Sequence, residues 1–301
     1  MKNHLKILRS RFLKLRSSIF KSRGAIVSIS PIVIWMLSFF IVPLILVLLV
    51  SFFTRGQYGN VEYKLTYGNY SKLLNPMYVG ILWKSLVISF ATTLLCLVLG
   101  YPFAYFTARA PKHIRSTLLL LIILPFWTNS LIRTYAWIIL LRTEGIINTY
   151  LINLHLIKEP IKMLYNDAAV MIGMVYMMFP FMVLPLYSSI ERLDFSLIEA
   201  ASDLGASPVE SFLKVTLPLT RSGIVSGCLL VFVPTLGYFF IPDLMGGSKI
   251  ILISNLIKNQ FLSARNWPFG SAISVILIII MFLMIGLYVK LGGSKDKMEV
   301  L

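Results

Sequence analysis

Apolar residues along the chain fall into long uncharged runs rather than into an alternating or short-period pattern. Residues 25–53, 85–108, 168–190, 222–242 and 266–289 contain no charged side chain, and residues 116–141 are broken only by Arg133. A helix needs about 20 apolar residues to cross the hydrocarbon core of a bilayer, so each of the six runs predicts a spanning helix. None alternates with the period of a membrane barrel strand. An eight-residue run, Ile250–Ile257, is too short to cross and reads as a loop helix or re-entrant piece. Prolines inside the runs (Pro43, Pro102, Pro125, Pro180, Pro185, Pro234) are tolerated in bundled membrane helices where neighbours satisfy the freed backbone groups. The predicted organisation is a basic N-terminal segment (1–24), a six-helix transmembrane domain (25–291) and a short C-terminal tail (292–301). The fold class is thus all-α and integral to the membrane.

Composition agrees with this pattern. Of 301 residues 57% are hydrophobic and 13% charged, about half the charged fraction of a soluble domain. That excludes a soluble enzyme, a disordered chain and a disulfide scaffold. Cys96 and Cys228 both lie in apolar runs, so neither a disulfide nor a redox role is expected. The net charge of +16 would suggest nucleic acid in a soluble protein, but here it reads as topology, with no nucleic-acid partner. With the N-terminus inside, cytoplasmic segments carry 17 Lys and Arg against 10 outside, which favours cytoplasmic N- and C-termini. Residues 1–24 hold eight of them and no acid, with Leu5, Leu8, Phe12, Leu15 and Ile19 in a helical stripe. This segment reads as an amphipathic helix on anionic lipid.

Catalytic signatures are missing. There is no Walker motif, no H-E-x-x-H, no G-x-S-x-G elbow, and His4, His113 and His155 are scattered. No cofactor and no metal are expected, and the chain reads as a conduit rather than an enzyme.

The predicted cytoplasmic loop Glu191–Arg221 differs in style from the rest, with five acids and three bases in 31 residues. Ser196-Leu197-Ile198-Glu199 has the form of a capping box opening a helix, with Leu197, Ile198, Ala201 and Leu204 as its apolar face. Gly205 stands where a left-handed C-terminal residue belongs. Ser207-Pro208-Val209-Glu210 is a second capping box, and Pro218 is expected to end the second helix. Such a helix pair either folds back as a lid on the chain's own spans or presents its apolar side to a partner. Pattern alone leaves both open.

Glu199-Ala200-Ala201, then Gly205, then Val215-x-Leu217-Pro218 resembles the EAA signature of bacterial ABC importer permeases, E-A-A-x3-G-x9-I-x-L-P, with Val in place of Ile. The resemblance implies a type I-like permease fold of the inner membrane, a sister permease subunit, two copies of a cytoplasmic ATPase, and a periplasmic substrate-binding protein. It assigns Glu199, Ala200, Ala201, Gly205, Ser207, Pro208, Leu217 and Pro218 to the ATPase-coupling loop. Leu124–Tyr135, Leu186–Glu191, Asp243–Gly247 and Asn266–Gly270 resemble, more narrowly, permease subunits of spermidine/putrescine importers. Iron, thiamine, sulfate and molybdate permeases share the coupling loop and are the alternatives, with a stand-alone secondary transporter as the reading from another class.

A polyamine path should offer carboxylates for the ammonium groups and aromatic faces for cation–π attraction. The end of the fifth run supplies Tyr238, Phe239, Phe240 and Asp243, with one helical turn placing Phe239 or Phe240 on the face of Asp243. Trp127 and Trp267 fall at outer-leaflet depths and complete the candidate path for a small cationic substrate. The alternative is an aromatic interfacial belt beside a solvated aspartate. Arg133 costs about 3 kcal/mol at a membrane centre and is expected to pair with an acid on the sister subunit, the alternatives being that it snorkels or repels cations until a gate opens. Gly223-x3-Gly227 is a close-packing motif, and residues 145–166 suggest a short surface helix.

Overall fold

The computed structural model describes residues 23–292; the amphipathic N-terminal segment and the C-terminal tail lie, but for their innermost residues, outside them. The helices are α1 (Arg23–Ser51), α2 (Gly68–Leu73), α3 (Pro76–Arg109), α4 (Lys112–Ile123), α5 (Ser130–Leu141), α6 (Ile146–Asn153) and α7 (Asp167–Glu191). Then follow α8 (Ser196–Asp203), α9 (Pro208–Leu219), α10 (Arg221–Gly237), α11 (Phe240–Met245), α12 (Ile253–Leu262) and α13 (Trp267–Gly292). A small antiparallel hairpin, β1 (Thr54–Arg55) with β2 (Val61–Glu62), interrupts the helices after α1.

α1, α3, α7 and α13 are each long and apolar enough to cross a membrane alone. The other two expected spans are not straight. The run 116–141 is α4 and α5, joined by a tight 3-10 turn Leu124–Trp127, and the helical segments on either side of this corner meet at 97°. Pro125 cannot donate a helical hydrogen bond. Thr128 is extended, and the Asn129 side chain caps the new helix by accepting the Leu131 N–H at 2.8 Å. The run 222–242 is likewise broken. α10 ends at Gly237, Tyr238 is extended, and a separate short helix α11 follows. At 17 residues α10 spans about 25 Å, short of the hydrocarbon core. The structure contains four single spans, or six if the pair bent at 97° and the pair formed by α9 and α10, which meet at 68°, each count as one.

α7 is the axis of the bundle. Val170, Met174, Met178, Met182, Leu186 and Ile190 are all fully buried. They recur every fourth residue, which places them in one row along the helix. α3 and α10 both pack against α7, and against each other. Gly223 and Gly227 lie on α10 where it crosses α7. A Cβ at Gly223 would meet the Ser189 side chain and stand 2.9 Å from the Pro185 carbonyl oxygen, while one at Gly227 would stand 2.7 Å from Met182 Sδ. A second core, formed by Phe232, Leu236, Ile253, Leu256, Phe269, Ile273 and Leu277, joins α10, α12 and α13. α1 runs along α13 and exposes most of its apolar surface.

The close crossing of α10 and α7 yields a test. Gly223→Ala should lower the melting temperature of the detergent-purified protein through an overpacking cost of about 1–3 kcal/mol, because the two nearest obstacles, the Ser189 Cβ and the Pro185 carbonyl oxygen, are fixed by the α7 backbone. Gly80→Ala, where a Cβ meets nothing within 4 Å, should leave the melt unchanged or raise it slightly.

Candidate functional site

Two regions hold the residues singled out in the sequence. The first is the α8–α9 loop. Its opening cap is Asp194 rather than Ser196: Asp194 Oδ1 accepts the Ser196 N–H at 3.0 Å, and the Leu197 N–H bonds to the Asp194 carbonyl at 3.2 Å. Ser196 is already inside the helix, so Ser196 and Glu199 close no capping box. Asp194 lies two positions upstream and makes the same bond with a charged acceptor, which is the stronger one. Glu199 and Ala200 are thereby left exposed on the first helix, with Ala201 half-buried beside them. Gly205 adopts φ +86° and turns the chain, a conformation that costs a residue with a Cβ about 1 kcal/mol or more. The second capping box is present. The Glu210 N–H bonds to Ser207 Oγ at 3.3 Å, the Ser207 N–H bonds to Glu210 Oε2 at 3.1 Å, and Pro208 holds the first helical position.

Pro218 does not end this helix. A π turn over Phe212–Thr216 sends the Leu217 N–H to the Phe212 carbonyl, and the helix runs through Pro218 to Leu219. The widened turn admits a proline that a regular α-helix would reject.

Both capping carboxyls sit below the usual carboxylate range. Asp194 is held there by the Ser196 hydroxyl and N–H, and Glu210 by the Ser207 N–H and then the Lys214 ammonium. A depressed folded-state pKa contributes stability above the unfolded value and loses it as pH falls through the folded value. The caps are therefore intact at neutral pH and weaken only in acid. The loop is anchored to the bundle through Phe195, which packs edge-on to Tyr105 with Arg109 over its ring. Further anchors are the Arg115–Glu191 ion pair at 2.7 Å and the Tyr101–Thr220 hydroxyl pair at 2.9 Å. Beyond these anchors its apolar side chains face outward: Leu204 is 89% exposed, Val209 66% and Leu213 53%.

The second region is the helix break at Tyr238–Phe239. The Tyr238 carbonyl, freed because Pro242 one turn on has no N–H, accepts the Ser254 hydroxyl at 2.8 Å, and the Phe239 carbonyl, which also takes the Asp243 N–H, accepts Asn255 Nδ2 at 2.7 Å, both donors from α12. Asn255 also donates to Asp243 Oδ1, and its own oxygen accepts the Leu252 N–H at 3.2 Å. The expected cluster does form, although on α11 rather than on the end of α10. The Asp243 N–H bonds to the Phe239 carbonyl at 3.1 Å, one turn away, and the Tyr238–Phe240 ring centroids are 5.1 Å apart. Asp243 is neither free nor simply solvated: Lys258 of α12 forms an ion pair with its Oδ2 and stands 5.7 Å from the Phe239 ring centroid.

Trp127 is exposed at the 97° corner, and Trp267 packs on Phe261. Neither makes a hydrogen bond or ring contact with the Asp243 cluster. Arg133 finds no acid among the described residues. Its guanidinium lies 4.7 Å from the Phe126 ring centroid, with Nε and Nη1 buried and unpartnered. Sequence reasoning missed Ser254, Asn255 and Lys258. Their signal was three polar side chains on one short stretch of an otherwise apolar loop run.

Residues 100–292 match the family described as binding-protein-dependent transport system inner membrane component, and the chain belongs to that family. It is a multi-pass inner-membrane protein with an ABC-importer permease fold. The spermidine/putrescine transport system permease protein PotB of Haemophilus influenzae is 44% identical over 298 residues, covering 98% of this chain and 100% of that protein. PotB of Escherichia coli is 50% identical over 269 residues (89% and 98%). The inner membrane ABC transporter permease protein YdcU of Escherichia coli is 30% identical over 258 residues (81% and 82%). A chain in the crystal structure of a bacterial ABC transporter that imports the acidic polysaccharide alginate superposes with a TM-score of 0.75 at 16% identity, covering 94% of this chain and 99% of that one.

Asn255 holds the break together, and replacing it tests this. Asn255→Leu keeps the volume but leaves one Asp243 oxygen and the buried Leu252 N–H without the partner that Asn255 supplied. Such orphaned groups cost about 1–3 kcal/mol each, so the purified protein should melt at a clearly lower temperature; an unchanged melt would refute the role.

Proposed function

We propose that this chain is one of two membrane subunits of an ATP-driven importer of polyamines, of the spermidine and putrescine type. It forms the translocation path with a sister permease and receives substrate from a periplasmic binding protein. It couples to two copies of a cytoplasmic ATPase, which carry out the hydrolysis. The N- and C-termini are cytoplasmic, in keeping with the excess of Lys and Arg on that side.

The observation that carries the coupling role is the outward apolar face of the α8–α9 loop. Leu204, Val209 and Leu213 lie on a charged, wet loop, where an exposed apolar patch marks a contact site. The Gly205 turn fixes the angle between the two helices, and the charged caps rigidify each one, so the loop arrives preformed at a groove on the ATPase. Glu199 and Ala200, exposed on the first helix, are contact positions. The lid alternative finds no support in the packing, since the loop touches the bundle through Phe195 and the base of α9 and leaves its tip clear.

The relatives named for spermidine and putrescine transport support the substrate class. Within this chain the Asp243, Phe239, Phe240 and Tyr238 group supplies the charge and aromatic faces that such a cation needs, with Trp127 and Trp267 at the outer flanks.

Co-purification tests the coupling role. Gly205→Val and Leu204→Asp should each reduce ATPase recovered with the membrane subunits by about tenfold, while the permease pair itself still forms. Uptake of labelled spermidine into proteoliposomes should require ATP and compete with putrescine. Transport by this chain alone without ATP, or full ATPase recovery with both variants, would overturn the reading.

A further inference from the structure

The ion pair between Lys258 and Asp243 is built unlike a structural strut. Asp243 does not depend on Lys258 for its orientation. Asn255 grips Oδ1, and Asn255 is itself fixed by the Leu252 N–H and the Phe239 carbonyl. The carboxylate would therefore stay in place if the lysine left. Lys258, in turn, makes no other hydrogen bond among the described residues. Its ammonium has only the Asp243 Oδ2 oxygen and the face of Phe239, 5.7 Å to the centroid. Nor is the pair sealed in: the side chains are 28% exposed at Lys258 and 32% at Asp243.

An oriented carboxylate beside an aromatic face is the donor set that recognises an alkylammonium. A lysine side chain is four methylenes ending in a primary ammonium, the same chemistry as the end of a polyamine. Resting on the polyamine reading above, we propose that Asp243, Asn255 and Phe239 form an ammonium site which Lys258 fills as a tethered competitor, and that a terminal ammonium of the substrate displaces it during passage.

Displacement exchanges one cation for another, so the carboxylate is never left bare at a depth where an unpaired charge is costly. A neutral or anionic solute cannot make this exchange. Lys258 is thus a specificity-determining residue: it sets a threshold that only an ammonium of comparable shape can cross.

The test uses the complete transporter in proteoliposomes, with labelled spermidine. Lys258→Gln should lower the apparent KM about tenfold by removing the competitor. Asp243→Asn should reduce uptake about tenfold or more, and the double variant should behave as Asp243→Asn. If the pair were only a strut, both single variants would lose uptake and the neutral double variant would regain it, which would overturn the proposal; an unchanged KM in Lys258→Gln would do the same. A measurement on wild-type protein avoids dependence on folding of the variants. Saturating spermidine should raise the amine-labelling rate of Lys258, relative to exposed Lys214, by about threefold or more in mass spectrometry. No rise would overturn the proposal. If the wild-type complex takes up no spermidine at all, the polyamine reading fails instead, a result distinct from either outcome for Lys258.

Discussion

A carbonyl freed by a helix break in the hydrocarbon region has no water to turn to, so it must find a donor inside the protein. The break at Tyr238–Phe239 makes that demand at the Tyr238 carbonyl, and Ser254 of α12 meets it, while Asn255 beside it ties the Phe239 carbonyl to Asp243. The arrangement of this end of the bundle follows from these bonds. α12 is pinned beside α11, and the Ile253 N–H at its start is held by Ser85 Oγ of α3 at 2.8 Å. Asp243 and Lys258 are then close enough to pair. A polar cluster in this setting is a by-product of repairing a backbone, and it is also the chemistry that a cation path requires.

The same demand explains the other irregularities. Pro125 is accommodated by giving up a straight span for a corner capped by Asn129, and Pro218 by a π turn that shifts the hydrogen bond by one residue. Packing in the inner half obeys a different rule. Between membrane helices, close approach does the work that water exclusion does elsewhere. The small surface of Gly223 and Gly227 lets α10 lie directly on the backbone of α7. That close crossing, with the Tyr101–Thr220 and Arg115–Glu191 contacts at the inner ends, gives the α8–α9 loop a firm base from which to project.

Two ends of the molecule are thereby linked through α10. Its N-terminal end continues from α9 across a 68° bend, and its C-terminal end opens into the break beside Asp243. Motion imposed on the loop would reach the polar cluster through a single 17-residue helix packed against α7.

The sequence by itself determined the helical, membrane-embedded class, because the lengths of uncharged runs must match the bilayer. It also determined the two-helix form of the α8–α9 loop, because caps and a left-handed glycine are local: Ser207, Pro208, Glu210 and Gly205 act on residues within a few positions of themselves. Where a cap could be supplied by either of two neighbours, as with Asp194 and Ser196, local pattern placed it two residues late. It legibly grouped Phe239 with Asp243, one turn apart. Only the tertiary structure decided that α10 stops at Gly237, that the run 116–141 turns a corner, and that Asp243 is already paired. The physical reason is range. A helix breaks where a distant segment can satisfy the freed groups, and Ser254, Asn255 and Lys258 stand twelve or more residues from the atoms they bind.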